Sequence, residues 1–264
     1  MSDKTNNKDK KIILILIAIL FIACAAVFFG YRFYTDYRAQ KNDIEISSVV
    51  STTDETVQGT TNEKMVKNPI DFKSLQKKNS DIYAWIKVKG TKVDYPVVQS
   101  TKSDELYLKH SALDKSWIAS GAIYTEMVNS TDFQDRVTLI YGHNGYSDTM
   151  FTTLHRFEQK SFFDQHKRFV IYTPDSKLTY KIVSAFKYDD RHIMNSFDFQ
   201  SDNIFVEFLE MIQNPSSSNK NVRTDLGREL TKDDKIVVLS TCITNQRSSR
   251  YLVCGVLEKN EKTY

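Results

Sequence analysis

Apolar residues along this chain fall into two unlike arrangements. The first is one unbroken run, Ile12 to Gly30 (IILILIAILFIACAAVFFG), with no charged residue, preceded by Lys10-Lys11 and followed closely by Arg32. Nineteen residues at the helical rise span about 28 Å, close to the hydrocarbon thickness of a bilayer. A cleaved leader would have a shorter apolar region, about 7–15 residues, ending at a small-residue site. Ala23-Cys24-Ala25 matches such a site poorly, and Phe21-Ile22-Ala23 is a poor lead-in for acylation of Cys24. The pattern predicts a retained transmembrane helix over 12–31, preceded by a short tail over 1–11. Lys4, Lys8, Lys10 and Lys11 precede the run and Arg32, Arg38 and Lys41 follow it, a slight positive-inside bias. The short tail favours the N-terminus inside, which leaves the rest of the chain on the extracellular side.

The second arrangement begins further on. Tyr31 to Ile46 is polar and charged with a helical flavour, and Ser47 to Glu63 is rich in Ser and Thr, as a spacer is. Residues 32–67 therefore read as an extracellular spacer and 68–264 as the folded domain. Ile70, Phe72 and Leu75 predict a short helix opened by Pro69. From Tyr83 onward come short apolar runs: Trp85–Val88, Tyr95–Val98, Gly121–Tyr124, Thr138–Tyr141, Phe169–Tyr172, Leu178–Val183 and a final pair near the C-terminus. Short strands at this spacing predict a mainly β domain, a barrel or a sandwich. One interruption, Asp202 to Ile212, has Ile204, Phe205, Phe208, Leu209 and Ile212 at helical spacing.

Composition narrows the picture a little. Of 264 residues, 41% are hydrophobic, enough for a sizeable core. The net charge of +3 and the lack of a basic run interleaved with aromatics argue against nucleic acid as a partner. No internal repeat, metal-ligand spacing or cofactor motif stands out, so no cofactor or metal is expected. The acidic pairs Asp189-Asp190 and Asp233-Asp234 sit in turn-like contexts and read as solvated surface.

The chemistry concentrates in Lys235 to Leu257 (KIVVLSTCITNQRSSRYLVCGVL). Two β-rich runs separated by a polar segment predict a hairpin that sets Cys242, at one strand end, opposite Arg250, at the start of the next. A guanidinium beside a thiol lowers the cost of forming thiolate, and its planar fork can hold a developing oxyanion. If Cys242 faces Arg250, Cys254 pairs with Val238 and lies about 13 Å from Cys242. A disulfide needs Cα atoms within about 7 Å, so Cys242 is expected free and Cys254 to be a buried thiol. A cysteine nucleophile also needs a proton carrier. The run Val137–Tyr141 ends in Gly142-His143-Asn144-Gly145, which puts His143 at a strand end. The remaining histidines, His110, His155, His166 and His192, lie in charged or mixed segments and read as surface residues.

These residues carry a resemblance. Leu239-Ser240-Thr241-Cys242 followed by Arg250, with Tyr141-Gly142-His143 upstream, resembles the signature of sortases, the cysteine transpeptidases of Gram-positive cell surfaces. Ile82-Tyr83-Ala84-Trp85-Ile86, Val93–Gln99, Tyr107-Leu108 and Thr149-Met150-Phe151 are similar to class B members, and the similarity runs from about Asn68 to Leu257. Val238 stands where the family often has threonine, and Gly145-Tyr146 follows the His-Asn pair where methionine is common. Neither departure touches a catalytic position.

The resemblance implies an eight-stranded sortase-type β-barrel with peripheral helices, with Cys242, His143 and Arg250 as the catalytic residues. Ser240 and Thr241 would contribute to substrate binding. It further implies a membrane-anchored enzyme that cleaves the C-terminal sorting signal of a surface protein, holds the product as a thioester on Cys242, and passes it to an amine. Peptidoglycan precursor or cross-bridge amines are the implied acceptors, with pilin lysines in some members. The rival readings are a membrane-tethered cysteine peptidase that only hydrolyses, and a tethered binding module without catalysis.

Overall fold

The structure is a computed structural model that describes residues 3–48, 65–145 and 148–264. The spacer expected over 47–63 lies almost wholly outside the described residues. The chain divides into two compact units, with the boundary between Asn42 and Asp43.

The first unit is most of α1, a helix over Asp3–Ser47. It carries the long apolar run and is long and apolar enough to cross a membrane. The helix does not stop where that run ends. The polar residues after Tyr31, read as helical in flavour within the spacer, continue it to Ser47.

The second unit opens with α2 (Phe72–Lys78), which buries Phe72 and Leu75. Its start is set by Asp71, not by Pro69 as expected: the Asp71 carboxylate accepts the Ser74 amide at 3.0 Å, satisfying one of the free N–H groups of the first turn. The strands follow: β1 (Ile82–Lys87), β2 (Asp94–Gln99), β3 (Ile123–Thr125), β4 (Val137–Tyr141), then after a short helix α3 (Lys160–Gln165), β5 (Arg168–Tyr172) and β6 (Ser176–Asp189). Beyond α4 (Ile193–Ser196) and α5 (Asp202–Gln213) come β7 (Lys220–Val222), β8 (Ile236–Ile243) and β9 (Gln246–Lys262). The short β7 was not foreseen, since Lys220-Asn221-Val222 has no apolar alternation.

Strand order β5-β1-β2-β3-β4-β8-β9-β6 closes through β5–β6 pairing into an eight-stranded barrel, the expected fold. The first half of β6 pairs with β5 and its second half with β7, so β7 extends the sheet outside the ring. Two pairings are parallel, β2–β3 and β4–β8. Closure leaves few unpaired strand edges.

The strand that carries Cys242 is buried on both faces from Ile236 to Thr241. Val237 and Leu239 join the larger apolar cluster with Tyr251 and Val253, while Ile236 and Val238 join a second cluster with Val137, Leu139, Leu252 and Cys254. The second cluster is closed by Phe205, Phe208, Leu209 and Ile212 of α5. Because α5 covers the outside of the sheet, Val237 and Leu239 face inward. A strand covered on both sides reads as an unbroken apolar run, which explains Ile236-Val237-Val238-Leu239. Helix α5 is opened by Ser201, whose hydroxyl accepts the Ile204 amide, and Asp202 lies in its first turn, where a carboxylate suits the helix dipole.

Candidate active site

Strands β8 and β9 pair antiparallel with Cys242 opposite Arg250 and Val238 opposite Cys254. That is the register from which the two thiols were expected to stay apart, and both are free, Cys242 exposed and Cys254 buried. Burial pushes the Cys254 thiol up to about 12, so it stays protonated and inert at physiological pH. The regular register ends just past Cys242, where Ile243 pairs with Gln246 and Asn245 takes a left-handed backbone (φ 61°).

His143 arrives on the neighbouring strand. Parallel β4 and β8 are in register with Tyr141 beside Ser240, and the Gly142 amide donates to the Ser240 carbonyl at 3.1 Å. His143 and Cys242, each two residues further on, therefore emerge at the same end of adjacent strands. Gly142 is required there by close packing: a Cβ would come within 2.6 Å of Ile123 Cδ1 and Phe151 Cγ. The loop beyond is tied down by the Phe151 amide, which donates to the His143 carbonyl at 3.0 Å.

His143 Nε2 lies 2.7 Å from the Leu108 carbonyl. A carbonyl only accepts, so Nε2 carries the hydrogen, and in the neutral ring Nδ1 is the base. Arg250 is half-buried, and its guanidinium donates to the Ser249 carbonyl at 3.1 Å.

Beside this group stand two stacked tyrosines, Tyr124 and Tyr141, with ring centroids 5.3 Å apart. Burial, with the Glu126 carboxylate adding to it, pushes both phenols up, so they remain neutral O–H groups. Glu126 pairs with His192 at 2.8 Å, joining the end of β3 to the segment that leads into α4.

Ser240 shares the outer face of β8 with Cys242 and is buried, 4% exposed, beside Tyr141 and Leu252. Thr241, expected beside it in substrate binding, is turned the other way. It is 2% exposed and pairs with the buried Tyr251 on the inward face. A strand sends successive side chains to opposite faces, so Thr241 points away from the face that carries Cys242.

The expected surface histidines are all engaged. His110 and His166 bond backbone carbonyls of Leu106 and Phe162, and His192 pairs with Glu126. His155 lies 3.0 Å from the Cys242 carbonyl, as does Asn144 Nδ2. Neither was foreseen: Asn144 stood only as part of the turn after His143, and His155 had no signal beyond its place in a mixed segment. Asp234, expected as solvated surface, is 8% exposed and ion-paired with Arg228.

Comparison with known proteins agrees with this architecture. A family model described as the sortase domain matches residues 86–258. The curated sortase B of Staphylococcus aureus is 31% identical over 171 residues, covering 65% of this chain and 67% of that protein. Among solved structures, a Streptococcus pyogenes class B sortase involved in pilus biogenesis is 33% identical, with a TM-score of 0.61, covering 71% of this chain and 98% of that one. Sortase B from Bacillus anthracis is 26% identical with a TM-score of 0.69, covering 86% and 99%. With its barrel, its free cysteine opposite an arginine and this extent of likeness, the chain belongs to the sortase family of cysteine transpeptidases, with class B members as its relatives.

Proposed function

We propose that this protein is a membrane-anchored class B sortase in which Cys242 is the nucleophile, His143 the proton carrier and Arg250 the oxyanion donor. The observation that carries the reading is the meeting of all three at one end of β4, β8 and β9, through the Cys242–Arg250 pairing and the parallel β4–β8 register. The Cys242 thiolate attacks the carbonyl carbon of a sorting-signal peptide bond after a threonine. The oxygen gains negative charge and accepts hydrogen bonds from the Arg250 guanidinium, whose planar fork suits it. His143 gives a proton to the departing amine, leaving the acyl group as a thioester on Cys242. An incoming amine then attacks the thioester, His143 takes its proton, and the thiolate departs. Ser240, on the same face, is the substrate-binding residue retained from the sequence reading.

The acceptor in this reading is an amine of peptidoglycan, from a precursor or a cross-bridge. Helix α1 holds the domain at the outer face of the membrane, within reach of both surface-protein substrates and wall acceptors. Pilus assembly, with a pilin lysine as the amine, is the second reading, favoured by likeness to the S. pyogenes pilus sortase.

The test combines mutation with product analysis. A peptide selected by wild-type turnover from a library is incubated with and without each candidate amine, and products are read by mass spectrometry. Amide products formed in competition with water are expected, with turnover abolished in Cys242→Ala and in His143→Ala while circular dichroism is unchanged. Acid products alone would leave a hydrolase, and turnover by Cys242→Ala would end the assignment of the nucleophile.

A further inference from the structure

The backbone carbonyl of Cys242 is gripped from outside its own hairpin. Asn144 Nδ2 donates to it at 3.0 Å and also reaches Thr244 Oγ1 at 3.1 Å, while His155 Nε2 stands 3.0 Å from the same carbonyl oxygen. His155 is itself held on two sides. Its Nδ1 is 2.6 Å from Glu158 Oε1, and its ring stacks on Tyr251 with centroids 5.0 Å apart and planes 29° apart. Tyr251 is fully buried and is the cross-strand partner of Thr241, the residue before Cys242. His155 and Glu158 both belong to a 3-10 segment, Thr152–Glu158, anchored by the fully buried Leu154 and Phe157.

This support stands where the regular ladder gives way to the single irregular pair Ile243–Gln246. Regular β8–β9 pairing ends at Cys242, and the chain turns at Asn245 two residues after Ile243. A nucleophile on the last regular pair of a ladder keeps its aim only if something else fixes the backbone on its C-terminal side. Glu158 and the Cys242 carbonyl can both only accept, so for Nδ1 and Nε2 to bond one each both ring nitrogens carry hydrogen, as in the imidazolium that pairs with the Glu158 carboxylate. This sets the ring's orientation and aims Nε2–H at the Cys242 carbonyl, beside Asn144 Nδ2 at 3.2 Å. Asn144 brings the His143 loop to the same oxygen, so one carbonyl ties together the two strand ends that bear the thiol and the imidazole.

We propose that His155 is a positioning residue for the transfer reaction. Its Nε2–H, aimed by Glu158 and backed by Tyr251, fixes the Cys242 carbonyl and thereby the direction of the thiol relative to His143 and Arg250. The proposal rests on Cys242 being the nucleophile. In this role His155 acts through the backbone of the residue that bears the thiol.

The full chain in detergent micelles tests this with His155→Ala, His155→Gln and, as a control, Cys242→Ala, on the library-selected fluorogenic peptide. Losing the fixed aim is expected to lower kcat by about tenfold to a hundredfold in His155→Ala, the scale on which small misplacements act, with KM within about twofold. Glutamine presents an amide N–H near the position of Nε2 and should return kcat to within about threefold of wild type. A kcat for His155→Ala within about twofold of wild type overturns the proposal, as does a glutamine variant no better than alanine. Should the alanine variant fail to fold, the glutamine variant decides alone, by a kcat near wild type or a lost one. Turnover by Cys242→Ala would instead remove the nucleophile assignment, which is a separate failure.

Discussion

At the scale of single residues, Arg250 offers the sharpest division between readings. If it stabilises an oxyanion through hydrogen bonds at a fixed place, charge alone cannot replace it. Arg250→Lys keeps the charge and loses the planar fork, so kcat should fall more than KM rises. Removing one such donor costs about 2.7–4 kcal/mol, roughly a hundredfold to a thousandfold in kcat. A surface ion pair would be worth less than about 1 kcal/mol, under tenfold. Steady-state kinetics on the peptide substrate separates the two, and a near-wild-type kcat in Arg250→Lys would take Arg250 out of the catalytic set. The two residues before Cys242, both buried, follow the same logic of place. Ser240 and Thr241 are chemically alike and adjacent, yet the pleat gives one to the outer face with Cys242 and the other to the barrel interior.

At the scale of elements, the site depends on how closely β4 approaches what lies around it. Gly142 leaves no room for a side chain between Ile123 and Phe151, both buried. Gly142→Ala forces those side chains or the strand end to move, and overpacking of this sort costs about 1–3 kcal/mol. The residue that moves with the backbone is His143. The expected outcome is a melting temperature lowered by several degrees together with a kcat reduced beyond what partial unfolding accounts for. If calorimetry shows the loss of stability and the folded fraction keeps its full kcat, the strand end tolerates displacement and the close packing serves stability alone. The reason for the glycine is steric, because the backbone passes between two apolar side chains.

At the scale of the whole molecule, the closed barrel makes unfolding cooperative, and an ion pair at the entry to β8 contributes to it. Burial alone would raise the Asp234 carboxyl, but hydrogen bonds from Arg228 and from the Thr231 amide outweigh it and hold the group below the usual carboxylate range. A carboxyl depressed in the folded state stabilises fully above its unfolded value near 3.8, and that contribution is lost as pH falls through the lower folded value. Asp234→Asn is therefore expected to cost about 1–3 kcal/mol at pH 7, with the gap to wild type closing as pH drops below that of an ordinary carboxylate. Urea denaturation at a series of pH values measures it. A gap that stayed constant down to strongly acid pH would mean that packing rather than charge is at stake.

Local pattern by itself determined a good deal of this protein. Short apolar runs marked all eight barrel strands, the helical spacing of Phe205, Phe208, Leu209 and Ile212 marked α5, and the long apolar run marked the candidate membrane span. Each of these is a repeat along the chain, readable because neighbours in sequence share one environment. The Cys242–Arg250 pairing was legible for the same reason, since a hairpin's register is a local count of residues. Tertiary structure alone decided the rest. Strand β7 exists because the far half of β6 needs a partner, whatever the side chains of Lys220–Val222 are. His155 and Asn144 reach Cys242 from 87 and 98 residues away, and Asp234 is drawn under cover by Arg228 from across a loop. Polar side chains of this kind carry no periodicity. Their roles are set by what folding brings against them, and that is a property of the closed barrel and not of any stretch of sequence.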